Sequence, residues 1–308
     1  MKFRTLVASL CAALFASGAA AQQKVQIGCT ATGDCASAMV AIDEGIFKRL
    51  GLEAEMVLIG INSNIPAALL SNSIQIGGPT SSVFLQAVDG GLDLVAVGGA
   101  SAMNERTANL VAVVGRTGVS LKEPKDFVGK KVGAPGLGAF LHVLFVKWLM
   151  EKGVDPKSVN FVEVSFPTMN DILKSGAVDA VLAGEPFITR MSNAGTGTAA
   201  FGYLQELNRS EPVIFYAASR DWAEKNPETI KKFREGIAEG AKIVNSNRDK
   251  AAESISKFSK QPLDILKMFP PAFSQPELRA ADLGWWVDVM KQQKLMQNNV
   301  DVAKLILK

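Results

Sequence analysis

The amino-acid sequence predicts an α/β protein made of two similar lobes, and three observations carry that expectation. Short apolar runs alternate with helical patterns through the first two thirds of the chain. The alternation begins afresh after NLVAVVGR at 109–116. Two distant stretches, ALLSNSIQIGGPT at 68–80 and DILKSGAVDAVLAGEP at 171–186, follow one plan: helix end, small polar residue or glycine, strand, turn, new helix. Such β-α alternation argues for mainly parallel sheets wrapped by helices.

Taken in order, KVQIG (24–28) reads as a strand and CASAMVAIDEGIFKRLG (35–51) as a helix closed by Gly51. EAEMVLI is a second strand, and NIPAALLSN is a helix with Pro66 near its start, where a missing N–H does no harm. SIQIGG, PTSSVFLQAVDGG and DLVAVGG then read as strand, helix and strand. In the second series GKKVGAP leads into the helix GAFLHVLFVKWLMEKG, followed by the strand VNFVEVSF, the helix TMNDILKSG, the strand AVDAVLAG and the helix EPFITRMSNAG. VIFYAAS (213–219) is a further strand; from Asp221 onward the pattern is almost wholly helical. Trp285, Trp286, Val289 and Met290 recur at helical spacing, which marks a core face. Asn72 and Gly176 occupy equivalent places in the two echoes, where a helix C-terminus needs a residue tolerant of left-handed φ.

The first 21 residues carry Lys2 and Arg4, an apolar stretch from Leu6 to Phe15, and Ala19-Ala20-Ala21. That order is a secretory signal with cleavage after Ala21. A membrane anchor would need roughly 20 apolar residues. Cleavage removes two of the cations behind a formal net charge of +3, leaving a nearly neutral chain with no block of like charge. Nucleic-acid binding is therefore not expected. Cys29 and Cys35 survive cleavage. In an oxidising compartment they can close a disulfide loop worth about 2 kcal/mol in the chain-entropy model, or stand as two small buried residues pointing apart. With a single histidine in the chain, a metal site is not expected.

KVGAPGLGAFLHVLF (131–145) joins a strand to a helix through a glycine loop. Gly136 and Gly138 give G-x-G, but Leu141 stands at the third glycine position of the dinucleotide fingerprint, and no acid lies about 20 positions on. No G-K-[ST] follows either. The loop reads as a cradle for a small anion or polar group, or as plain turn chemistry. Other strand ends offer similar material: Thr30, Thr32 and Asp34 after the first strand, Thr80 and Ser81 before a helix, and Glu185 in the second half. No G-x-S-x-G elbow or H-E-x-x-H motif is present. His142 sits in an apolar helical segment, as a satisfied helix residue or a ligand contact. The chain looks built to bind, with no catalytic residues and no cofactor.

GCTATGDCASAMVAIDEGIFKRLGLEAEMV, LLSNSIQIGGPTSSVFLQAV, NLVAVVGRTGVSLKEPKDFVGKKVGAPGLGAF and DAVLAGEPFITR together resemble the nitrate/sulfonate/taurine-type periplasmic solute-binding proteins of ABC importers, a family related to the thiamine-pyrimidine synthase group. The most specific segments are Ala41 to Leu52 and Leu173 to Ala180. The resemblance implies a type II periplasmic-binding fold: two Rossmann-like lobes joined by two crossover strands, with NLVAVV and VIFYAA at the crossings. Lobe 1 would comprise residues 22–114 and 216–308, and lobe 2 residues 115–215. The ligand would contact Thr30, Thr32, Asp34, Thr80 and Ser81 from one lobe, and Gly136, Leu137, Gly138, Ala139 and Glu185 from the other. An obvious cleft arginine is absent, Arg106 being the best candidate.

The resemblance further implies a periplasmic monomer that captures a small molecule and delivers it to an ABC permease in the inner membrane. Backbone N–H groups and hydroxyls at converging helix starts suit a small organic anion of the sulfonate, carboxylate or nitrate class. The alternative is a pyrimidine or other heterocyclic thiamine precursor held by Glu185, Asp34 and an aromatic such as Phe140 or Phe166. A pyrimidine-synthase-like enzyme and a receptor-docking sensor are further readings.

Overall fold

A computed structural model describes residues 23–207 and 210–308; the expected signal segment lies outside them. Among the described residues, eleven strands form two sheets. In chain order the first ones are β1 (Gln23–Cys29), β2 (Leu52–Leu58), β3 (Ile76–Gly77) and β4 (Leu94–Ala102). There follow β5 (Val111–Arg116), β6 (Lys131–Ala134), β7 (Asn160–Glu163), β8 (Ala180–Gly184) and β9 (Gly197–Phe201). The last are β10 (Pro212–Ser219) and β11 (Phe273–Ser274).

The first sheet has the order β11-β4-β10-β3-β1-β2 and the second β7-β6-β8-β5-β9. Apart from the edge strand β11, both follow one scheme: second, first and third strands of the unit, then a strand arriving from the other sheet, then the fourth. The internal echo in the sequence is thus a repeat of topology. Within each sheet the first three strands pair in parallel, while the arriving strand, β10 or β5, pairs antiparallel on both sides. The sheets are therefore mixed rather than mainly parallel. The reason is geometric: the chain leaves each sheet where its fourth strand ends and enters the other at that same facing edge, so the arriving strand must run away from its neighbours' carboxyl ends. The chain crosses between β4 and β5 and again between β9 and β10, so VAVV of NLVAVV falls in β5 of the second sheet and VIFYAA in β10 of the first.

Local chemistry explains most boundaries. The helix expected over 35–51 is broken into Ala36–Asp43 and Ile46–Arg49 by Gly45 at φ 68°. Asn72 (φ 56°) and Gly176 (φ 77°) both adopt the left-handed conformation expected of them. The helix Pro227–Ser246 buries Ile230, Phe233, Ile237, Ala241 and Val244 on one face. Gly240 lies over the carbonyl of Ser37, where any side chain would overlap backbone, so this helix packs directly on Ala36–Asp43. Trp286 is fully buried and its indole N–H donates to Pro212 O at 3.0 Å, locking the C-terminal helix Ala281–Gln292 to the start of β10.

Candidate functional site

In open α/β sheets ligands lie beyond the carboxyl ends of strands, where the strand order reverses. In both sheets that rule selects the loops after the first and third strands. These are 30–34 after β1, 78–80 after β3, 135–139 after β6 and 185–186 after β8. Residues from all four line one cavity of about 180 Å³ between the sheets.

The first loop is closed at its base by a disulfide between Cys29 and Cys35, with Cα atoms 6.6 Å apart. Both sulfurs pack against Gly78, where a Cβ would come within 2.7 and 2.8 Å of them, so the glycine opens the space the staple occupies. Inside the loop Asp34 accepts from Thr32 Oγ1 at 2.7 Å and from Ser101 Oγ at 2.8 Å. Burial raises the Asp34 pKa, and those two hydrogen bonds oppose the shift. In the second loop Thr80 caps the helix Ser81–Asp89 by accepting from Val83 N, and Asn62 fixes the loop through Gly78 O and Thr80 N.

On the other side Glu185 accepts from Thr189 N (3.0 Å) and Thr189 Oγ1 (3.1 Å), and burial again raises its pKa against those bonds. Among the described side chains, no basic group is hydrogen-bonded to Asp34 or Glu185. Phe166 and Phe187 stack beside Glu185 with ring centroids 5.0 Å apart, and Phe140 and Phe269 extend the apolar wall. The cavity thus combines two poorly solvated carboxylates, threonine hydroxyls, aromatic faces and an arginine the sequence did not single out: Arg248 lines one wall, where its Nη2 donates to Lys267 O.

Thr30, Thr32, Asp34, Thr80, Ala139 and Glu185 therefore meet at one cavity. Ser81, Gly136, Leu137 and Gly138 do not line it. Ser81 is fully buried and its hydroxyl donates to Pro212 O at 2.8 Å. Leu137 N donates to Glu163 Oε1 at 2.9 Å and Gly138 N to His142 Nδ1 at 3.0 Å, so these two N–H groups of the glycine loop are taken by the protein itself. Burial lowers the His142 pKa to about 4, which keeps the ring a neutral acceptor. Arg106 lies on the short helix Glu105–Ala108 in the first crossing, and its side chain is outside the described residues. Lining residues that sequence reasoning passed over include Asn62, Met103, Thr107 and much of 259–272. The Pro270-Pro271 pair was the available signal that 267–272 is loop rather than helix.

Two mixed sheets with matching strand order, facing each other across a cavity, define a bilobal α/β fold. The alkanesulfonate-binding protein SsuA from Xanthomonas axonopodis pv. citri, solved bound to MOPS, has this periplasmic-binding-protein fold. It aligns with a TM-score of 0.77 and 20% identity over 94% of this chain and 99% of that one. The NMT1-like family matches residues 18–258, and the chain belongs to that family. The taurine-binding periplasmic protein of Escherichia coli (strain K12) is 24% identical over 221 residues, 71% of this chain and 67% of that protein. The nitrate/nitrite binding protein NrtA of Synechococcus elongatus is 22% identical over 241 residues; the match covers 70% of this chain and about half (53%) of that relative's length.

Proposed function

We propose that the chain is the solute-binding component of an ABC importer, exported through the signal at 1–21 and working in the periplasm as a monomer. It captures a small organic anion of the sulfonate, carboxylate or nitrate class and delivers it to an inner-membrane permease. The observation that carries this reading is the cavity itself, whose lining includes strand-end loops from both sheets. Neither half completes the contacts alone, so a solute there favours the closed form over the open one. On this reading the hinge lies at the crossings, so the lobes divide a few residues before the expected bounds of 114 and 215: β5 pairs within the second sheet and β10 within the first. The taurine and nitrate/nitrite relatives are named as binding proteins, which supports capture rather than catalysis.

Asp34 and Glu185 favour a second reading. Two carboxylates in an apolar cavity oppose a bare anion and suit N–H donors, such as those of an aminopyrimidine or another nitrogen heterocycle stacked on Phe166 and Phe187. A thermal-shift screen of sulfonates, carboxylates, nitrate and pyrimidines separates the two. A solute at a hundred times its Kd stabilises by about 2.7 kcal/mol, a rise of several degrees. Asp34→Asn and Glu185→Gln tighten binding of an anion but weaken binding of a nitrogen heterocycle about tenfold or more. If no compound of these classes raises the melting temperature, or if one is chemically converted, the solute-capture proposal fails.

A further inference from the structure

The glycine loop does hold an anion, and the anion belongs to the protein. Glu163, at the carboxyl end of β7, accepts through one oxygen, Oε1, from two donors that belong to different halves of the molecule. One is Leu137 N at 2.9 Å, in the glycine loop of its own half. The other is Ser63 Oγ at 2.8 Å, in the single turn Asn62–Asn64 that leads toward β3 in the first half. The neighbouring backbone repeats the link, Asn62 N donating to Pro135 O at 3.3 Å. Asn62 in turn holds the loop carrying Thr80. A second tie between the halves, from Arg190 Nη1 to Gln261 Oε1 at 2.7 Å, uses Gln261, which lines the cavity. Ser63 and Glu163 do not line it, so altering them leaves the solute's surroundings in place.

We infer that Glu163 is a positioning residue for solute capture: a built-in carboxylate that occupies the glycine loop and fastens the first half to the second through Ser63. The clasp exists only when the halves meet, so its free energy belongs to the closed form alone and biases closure before solute arrives. Because Ser63 donates to a carboxylate, the bond is charge-assisted. Glu163 is exposed, so solvent competes for it and the contribution falls to that of an ordinary net hydrogen bond. The inference rests on the proposal that the lobes open and close around a solute.

Spin labels at Glu53→Cys and Lys174→Cys, exposed sites on the two halves, report the closed-to-open ratio of the solute-free protein from inter-label distances. Ser63→Ala is expected to lower that ratio about fivefold, the effect of one net hydrogen bond. Its Leu137 amide should stay as protected from hydrogen exchange as in the parent, because the bond to Glu163 remains. Glu163→Ala should open the halves to the same degree and also expose the Leu137 amide, while Glu163→Gln, which keeps an acceptor oxygen, should fall between. A parent that is already wholly open, or a Ser63→Ala protein with the parental distance distribution, overturns the clasp. Solute capture would still stand in that case if the thermal screen finds a solute that shortens the distances. A parent whose distances respond to no compound that stabilises it would remove the hinge reading itself.

Discussion

His142 shows how one side chain can set the pH response of a loop. Its ring accepts from Gly138 N and packs edge-on against Phe161 at 4.5 Å. Burial lowers its pKa from 6.5 to about 4, with the Glu163 charge opposing the shift. The fold therefore favours neutral imidazole. Its contribution is complete above pH 6.5 and is lost as pH falls toward 4, to the extent of about 3 kcal/mol. Asp34 and Glu185 act in the opposite sense. Their pKa values are raised, so the fold favours the protonated carboxyls, and their contribution grows as pH falls and is lost as it rises. Denaturant unfolding of His142→Gln, whose amide oxygen can still accept from Gly138 N, should show a shallower loss of stability between pH 6.5 and 4 than the parent. An unchanged slope would mean the ring titrates normally. The limits of sequence reasoning also lie at this scale. Thr30, Thr32, Asp34, Thr80, Ala139 and Glu185 were legible because strand-end loops that open helices face a sheet's carboxyl edge. Ser81 was not, since its direction depends on Pro212, far away in the chain. Nor were the occupied N–H groups of Leu137 and Gly138, whose partners are decided by packing.

Among elements, those with strong hydrophobic patterns were legible and those defined by their neighbours were not. Strand β9, GTAAF, has a weak apolar alternation and exists because it pairs along β5 at the edge of the second sheet. Strand β11 is two residues that pair with the end of β4, within a tail that otherwise reads as helical. The loop of 30–34 is the element on which the cavity depends most, because the disulfide anchors both of its ends. Replacing Cys29 and Cys35 by serine should reduce stability by about 2 kcal/mol, the chain-entropy value for so short a loop. It should also weaken solute binding by freeing Asp34 from its fixed geometry. Urea unfolding with and without dithiothreitol checks the first effect, and calorimetric titration with a solute from the thermal screen checks the second. If reduction leaves the melting midpoint unchanged, the loop is held by its hydrogen bonds and the staple adds nothing.

At the scale of the whole molecule, the repeat seen in the sequence becomes two sheets of matching order, each completed by a strand from beyond the crossing. Sequence alone carried the repetition and the place where it restarts. The antiparallel insertion of β5 and β10 follows from how the chain re-enters each sheet, which no local pattern encodes. β10 is the strand that joins β3 to β4, yet 213–219 follow every residue of the second sheet in the chain. Residues 23–102 thus wait, with β4 unattached to β3, until 111–201 have been made. Pulsed hydrogen exchange during refolding should find amides of 111–116 and 180–184 protected before those of 94–102; the reverse order would show that β4 docks without its bridging neighbour. On a ribosome or a secretion channel, where the chain emerges from its N-terminus, the half that begins first is therefore finished last. A chaperone would have to shield an incomplete sheet for as long as the intervening residues take to appear.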